Sequence, residues 1–343
     1  MKLLLATDAW FPQINGVVRT LNQMVENLRA EGHSIEVVSP SDYPNVPLPT
    51  YPEIKVAVWM RGLTERIEEY DPDAIHIATE GPIGMWVRRF CLKHGYAFTT
   101  SFHTRFPEYI GERAPVPLSW SYSVVRNFHK PAYRTLVPTK HMREELQEWD
   151  FAHLEVWGRG VDTELFHPSR RVDLGLPGPV MVNVGRVAPE KNLRAFLDLD
   201  VPGTKVIVGD GPQLEELKKD YPDAHFPGMK EGEELAAYYA AADVFVFPSK
   251  TDTFGLVMLE AAASGTPVAA FPVTGPVDVL EPGKTGVMHD DLGLAIKNAL
   301  ELDRATCREA ALLRSWGAIS RQFRNALMPL NGDKTVNMEF EDA

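Results

Sequence analysis

The chain is predicted to be an α/β protein built from two doubly wound, Rossmann-like domains, and three observations predict it. Its 343 residues exceed one typical domain and fit two. Short apolar runs alternate with helical stretches, the pattern of a parallel sheet covered on both faces. That alternation restarts after the polar, proline-rich stretch LFHPSRRVDLGLPGP. The domain boundary is therefore expected within 166–179, with a first domain over 1–165 and a second over 166–310.

In chain order, KLLLAT is the first strand. MKLLLAT is too short for a secretory leader, and Asp8 ends it. An amphipathic helix follows over 17–30, closed by Gly32. SIEVVS, IKVAVW, AIHIAT, AFTTSF and TLVPT read as further strands, with helices over 83–94 and 141–149 between them. PVMVNVG, TKVIVG, ADVFVF and PVAAF are the strands of the second domain. The polar, acidic end NGDKTVNMEFEDA, 331–343, reads as a flexible tail. Two such domains in tandem are expected to bind ligands where the carboxyl ends of their strands face each other.

Composition narrows the function. A net charge of -12 argues against non-specific nucleic-acid binding. No apolar run reaches the ~18 residues of a membrane span. Cys91 and Cys307 lie far apart, without a disulfide framework, as in a reducing compartment. No Cys/His cluster has metal-ligand spacing, so neither a metal nor another cofactor is expected.

Chemistry-bearing residues gather at strand ends. In FPSKTDTFGLVMLEAAASGTPVAA a buried strand gives way to a polar loop with Asp252, then to a helix that Phe254, Gly255 and Leu256 open and that carries Glu260. Free N–H groups at that helix start form an anion site. An acid just ahead of them suits sugar hydroxyls better than phosphate. Alternatively, Asp252 is an N-cap and Glu260 a solvated helix residue. In NVGRVAPEKNL, Gly185 and Arg186 follow a strand and Lys191 opens a helix. Two cations there oppose the usual charge preference unless an anion, such as a diphosphate, sits between them. The other reading is two surface cations with Glu190 as partner. In DAWFPQINGVVRT, Asn15-Gly16 precedes a helix, so the backbone there either approaches a ligand closely or makes a simple turn. His103, after AFTTSF, is either structural or a ligand contact.

Together these segments resemble the retaining glycosyltransferases of family 4, whose acidic signature is Glu, seven residues, Glu, with Phe-Gly-Leu between. Here Asp252 stands for the first Glu, and Glu260 matches the second. The Arg, four residues, Lys element matches at Arg186 and Lys191. The resemblance covers residues 1 to about 328, and it is greatest to bacterial members that form glycolipids. It implies a GT-B fold, with helices over 311–330 crossing back to the first domain. It also implies transfer of a hexose from a UDP- or GDP-sugar to an acceptor hydroxyl, with retention and without a metal. By the same resemblance Asp252 and His103 meet the donor sugar and Arg186 and Lys191 its diphosphate. Glu260 holds the ribose, while Asn15, Gly16, Gly185, Gly209, Thr253, Phe254, Gly255 and Leu256 lie along the donor. Met229 and Lys230, in FPGMK, fall in the loop that reads the base.

The acceptor is expected to be a membrane lipid such as diacylglycerol. Over 86–143 ten basic residues (Arg88, Arg89, Lys93, Arg105, Arg113, Arg126, Lys130, Arg134, Lys140, Arg143) face two acids, Glu108 and Glu112, with aromatics interleaved. This stretch fits either ordinary helix surface over aromatic core positions or peripheral contact with an anionic membrane, at the cytoplasmic face of the cell membrane. The competing functions are transfer to a soluble sugar or polysaccharide, and a nucleotide-sugar-binding module without transfer.

Overall fold

The computed structural model describes residues 1–13, 15–48, 51–103, 117–250, 252 and 254–330. Thr253, the stretch holding Arg105, Glu108, Glu112 and Arg113, and the expected tail 331–343 lie outside the described residues. The chain separates into two compact units, Met1–Gly158 with the segment from Ile319 onward, and Arg159–Ala318.

In the first unit, strands β1 (Lys2–Ala6), β2 (Ser34–Val38), β5 (Ala74–Ile77), β6 (Thr99–Ser101), β7 (Arg134–Val137) and β8 (Leu154–Val156) form a parallel sheet in the order β2-β1-β5-β6-β7-β8. Leu3, Leu4 and Leu5 are fully buried, because helices cover both faces of the sheet and an apolar run can then be continuous. Helix α1 (Gly16–Ala30) buries Val18, Leu21, Met24, Val25 and Leu28, one apolar stripe at helical spacing. The stretch IKVAVW departs from expectation. It belongs to β4 (Tyr51–Ala57), which pairs antiparallel with β3 (Asn45–Leu48) outside the main sheet. Only two residues separate β3 from β4, and a connection that short can join only antiparallel neighbours.

Helix α2 (Leu63–Tyr70) follows, then α3 (Pro82–His94), α4 (Leu118–His129) and α5 (Lys140–Glu148). The last helix, Trp316–Ala326, places Phe323 against His76 and Trp157 of the first unit, with ring centroids 4.8 and 4.9 Å apart.

The second unit repeats the plan. Strands β9 (Val180–Val184), β10 (Thr204–Val208), β11 (His225–Gly228), β12 (Val244–Phe247), β13 (Val268–Ala270) and β14 (Gly286–Met288) form a parallel sheet ordered β11-β10-β9-β12-β13-β14. Helices α6 (Arg194–Leu197), α7 (Leu214–Asp220), α8 (Gly232–Ala241) and α9 (Leu256–Ala263) are its first four. In each sheet the strand order reverses once, between β1 and β5 in the first unit and between β9 and β12 in the second. The carboxyl ends of the strands at such a reversal leave a crevice, because the two connecting helices depart to opposite faces.

Candidate active site

The second unit's reversal is where the loops after β9 and β12 meet, and the side chains of Asn192, Ser249 and Lys191 stitch them together. Asn192 Nδ2 donates to the Pro248 carbonyl at 3.0 Å, and Ser249 Oγ donates to the Glu190 carbonyl at 3.2 Å. Lys191 Nζ donates to both carboxylate oxygens of Asp252, at 2.7 and 2.9 Å. Lys191 thus pairs with Asp252, and it closes a 3-10 turn, Pro189–Lys191, rather than opening an α-helix. Arg186 remains the more available cation, with 67% of its side chain exposed and Glu190 no nearer than 3.9 Å.

Asp252 does not cap helix α9. Gly255 holds that position, in the left-handed region at φ 80°, and no side chain of the described residues caps it. A Cβ at Gly255 would also meet Met258 and Phe247. The N–H groups at such a helix start form an anion site. Phe254 and Leu256 pack on the core beside them. Gly275 lies so close beneath this loop that a Cβ there would stand 2.6 Å from the Asp252 carbonyl.

Glu260, inside α9, is half-buried. Its Oε2 accepts the Tyr239 hydroxyl at 2.7 Å. Tyr239, on α8, is fully buried, and burial first, then the Glu260 charge, pushes its pKa well above the usual phenol value. It therefore stays a hydrogen-bond donor that sets the direction of the carboxylate. Nothing in the sequence spacing marks Tyr239.

The glycines nearby have different reasons. A Cβ at Gly209 would collide with the Gly185 carbonyl, so Gly209 lets the loop after β10 support the one after β9. Around Gly185 the space is open. Met229 is 66% exposed, and Lys230 Nζ pairs with Glu234 at 3.3 Å.

At the first unit's reversal, Asn15 caps α1. Its Oδ1 accepts from the N–H groups of Val17 and Val18, both at 3.0 Å. Space around Gly16 is open. His103 follows β6 by two residues, its ring edge-on to Trp157 at 5.8 Å. Sequence reasoning missed Asp8. Its carboxylate accepts from the N–H groups of Ile83 and Gly84 at 2.9 and 3.2 Å and from the Thr79 hydroxyl at 3.0 Å. Burial raises its pKa above the ordinary carboxylate value, and Glu80 adds to the shift.

The basic stretch is less free than its composition suggests. Arg88 donates to the Phe128 and Asn127 carbonyls at the end of α4, both at 2.8 Å. Arg126 pairs with Asp150 at 3.1 Å and Arg134 with Glu155 at 2.9 Å. Phe90, Tyr122 and Phe128 are core residues. The outward side of α3 retains Met85, Arg89, Leu92 and Lys93, and α4 exposes Leu118, Trp120 and Val124. Cys91 and Cys307 are buried thiols, their pKa values raised by burial, that of Cys307 to about 12. No described helix is long and apolar enough to cross a membrane.

The chain is similar to known proteins. The family described as Glycosyltransferase Family 4 matches residues 14–165, and Glycosyl transferases group 1 matches residues 178–302. A GDP-mannose-dependent alpha-mannosyltransferase of Mycolicibacterium smegmatis is 30% identical, over 93% of this chain and 95% of the relative. An alpha-monoglucosyldiacylglycerol synthase of Streptococcus pneumoniae is 29% identical, over 79% of this chain and 71% of its own. A solved structure of sucrose-phosphate synthase from Thermosynechococcus elongatus superposes with a TM-score of 0.68 at 22% identity, covering 94% of this chain and 97% of that one.

Proposed function

Because the chain belongs to the family 4 and group 1 glycosyl transferases, with the GT-B fold, we propose that it moves a hexose from a nucleotide-diphosphate sugar to a hydroxyl of a membrane lipid, retaining the anomeric configuration and needing no metal. That it is a nucleotide-sugar-dependent glycosyltransferase follows from the family. The acceptor, the stereochemistry and the residue roles are the proposal. The pairing of Lys191 with Asp252 where the loops after β9 and β12 meet carries it. Cation, acid and a helix start that opens on Gly255 lie within one stitched pair of loops, at the place where a doubly wound sheet binds ligands.

In this reading the donor diphosphate lies between Arg186, Lys191 and the first turn of α9. These groups stabilise the negative charge that grows as the bond from the anomeric carbon to the diphosphate oxygen breaks. The acceptor oxygen bonds to the same face of that carbon, and its proton passes to the departing phosphate. Asp252 and His103 hold the sugar, and Glu260, aimed by Tyr239, holds the ribose. Asn15, Gly16, Gly185, Gly209 and Phe254 line the donor, with Met229 and Lys230 at the base; Thr253 keeps the role the resemblance implies.

The name of the mycobacterial relative supports GDP-mannose as donor, and that of the pneumococcal relative supports a diacylglycerol-type acceptor. Such an acceptor calls for peripheral contact with an anionic membrane at its cytoplasmic side, for which α3 and α4 are the candidate elements. The test is a thermal-shift panel of UDP- and GDP-sugars. A donor at 100 times its Kd adds about 2.7 kcal/mol of stability. Transfer with that donor should survive EDTA. Activity lost to EDTA and restored by magnesium would overturn the metal-free mechanism, and no shift with any sugar nucleotide would overturn the donor site.

A further inference from the structure

We propose that Glu80, braced by His129, is the side chain of the first unit that takes hold of the acceptor through one of its hydroxyls. The inference rests on the transferase reading above and adds the acceptor-binding group.

Position is the first argument. Glu80 follows β5 by three residues, in the loop that leads to α3. This loop and the one after β1 flank the single reversal of strand order in the first sheet, where ligand crevices form.

Construction is the second. Glu80 Oε1 lies 3.1 Å from His129 Nε2, and His129 Nδ1 lies 2.8 Å from Thr100 Oγ1, which is 3.0 Å from Thr135 Oγ1. A carboxylate only accepts, so Nε2 donates to Glu80 and the chain of bonds runs back into the sheet. The His129 side chain is 2% exposed and that of Glu80 11%. The imidazole is therefore a fixed internal support, while the Glu80 side chain keeps a small window to solvent. Phe102 and Phe151 stand about the imidazole, with ring centroids 6.1 and 6.0 Å away.

Charge is the third. Asp8 has committed its carboxylate to Ile83, Gly84 and Thr79, and Gly81 must lack a Cβ because one would run into that carboxylate. The Asp8 pKa is raised chiefly by burial, with a further push from Glu80, which places the two acids within reach of each other's field. Among the described residues Glu80 has no ion-pair partner but His129. Two neighbouring acids repel a phosphate or another carboxylate. They welcome a neutral group that donates, and an alcohol is such a group. The expected guest is thus a neutral polyol or its ester, not an anionic headgroup. Glu80 positions the hydroxyl; bond making and proton transfer remain as given above.

The test measures transfer from GDP-mannose, or from the sugar nucleotide that the thermal panel selects, to two probes: dioleoylglycerol in dioleoylphosphatidylglycerol vesicles, and free glycerol. Glu80→Gln should raise the acceptor KM at least tenfold and leave calorimetric donor affinity within twofold. His129→Phe should do the same, and His129→Gln, whose amide N–H can replace Nε2–H, should recover part of the loss. Should Glu80→Gln not fold, Glu80→Asp shortens the reach by one bond and should show the same rise in KM. A Glu80→Gln enzyme with wild-type acceptor KM overturns the inference while leaving the transferase reading intact. Wild-type protein that binds donor but glycosylates neither probe overturns the lipid reading, and this inference with it.

Discussion

Asp252 and Lys191 hold each other, so in the proposed reading a diphosphate at Lys191 competes with a carboxylate that is already in place. Both side chains are about a quarter exposed, and a pair of that kind contributes roughly 1 kcal/mol or less. Asp252→Asn should therefore tighten GDP or UDP two- to fivefold in calorimetry while transfer falls, because the sugar loses its acid. Weaker nucleotide binding in that variant would remove the competition argument. Arg186→Ala, with no comparable partner to lose among the described residues, should lower turnover roughly 10²–10³-fold, the scale for one transition-state donor.

Tyr239→Phe tests the aim of Glu260. A hydrogen bond to a charged group contributes about 1.5–3 kcal/mol, so nucleoside diphosphate affinity should drop about tenfold with Glu260 itself untouched. Unchanged affinity would detach Glu260 from the ribose. The spacing of Arg186 to Lys191 and of Asp252 to Glu260 was legible because each pair lies within one loop or one loop and helix. Tyr239 was not legible, nor were Glu80 and His129. Their contacts span 21 and 49 positions, and composition says nothing about which distant residues meet.

Elements repeat that lesson. The buried central strands announced themselves as continuous apolar runs, since helices cover both faces. The strands β8, β11 and β14 did not. Each is an edge of its sheet, three or four residues long, and an edge strand needs little apolar pattern because one side has no neighbour. Charge counting along 86–143 overstated the basic surface, because Asp150 and Glu155, beyond its end, neutralise Arg126 and Arg134. If α3 meets the membrane, reversing Arg89 and Lys93 together to Glu should cut binding to dioleoylphosphatidylglycerol vesicles at least tenfold at low salt. Each cation near such a surface contributes about 1 kcal/mol, which salt screens. Nucleotide binding should not change. Wild-type protein that fails to sediment with these vesicles would make a soluble acceptor the better reading.

At the scale of the whole molecule, His76 ties pH to stability. Enclosed between Thr99 Oγ1 at 2.8 Å, Ser101 Oγ at 2.9 Å and the Phe323 ring, it is desolvated, and its pKa falls to about 3. The folded value lies below the unfolded one of about 6.5. Its contribution is therefore complete above pH 6.5 and is lost as pH falls toward 3, by about 1.4 kcal/mol per unit. Denaturant titrations of wild type and His76→Gln between pH 7 and 4 should diverge by that slope, and parallel curves would show that His76 takes a proton while folded. His76 also shows how the last helix finds its place, since Phe323 packs on a strand almost 250 residues earlier. Taken alone, the sequence determined the α/β class, two doubly wound units and the loops that carry cations and acids. Those properties are local: periodicity, run length and spacing arise between neighbours in the chain. Only the tertiary structure decided that Lys191 faces Asp252, that Tyr239 aims Glu260 and that His129 braces Glu80. Such pairings depend on strand order and helix packing, which bring together residues that no local pattern links.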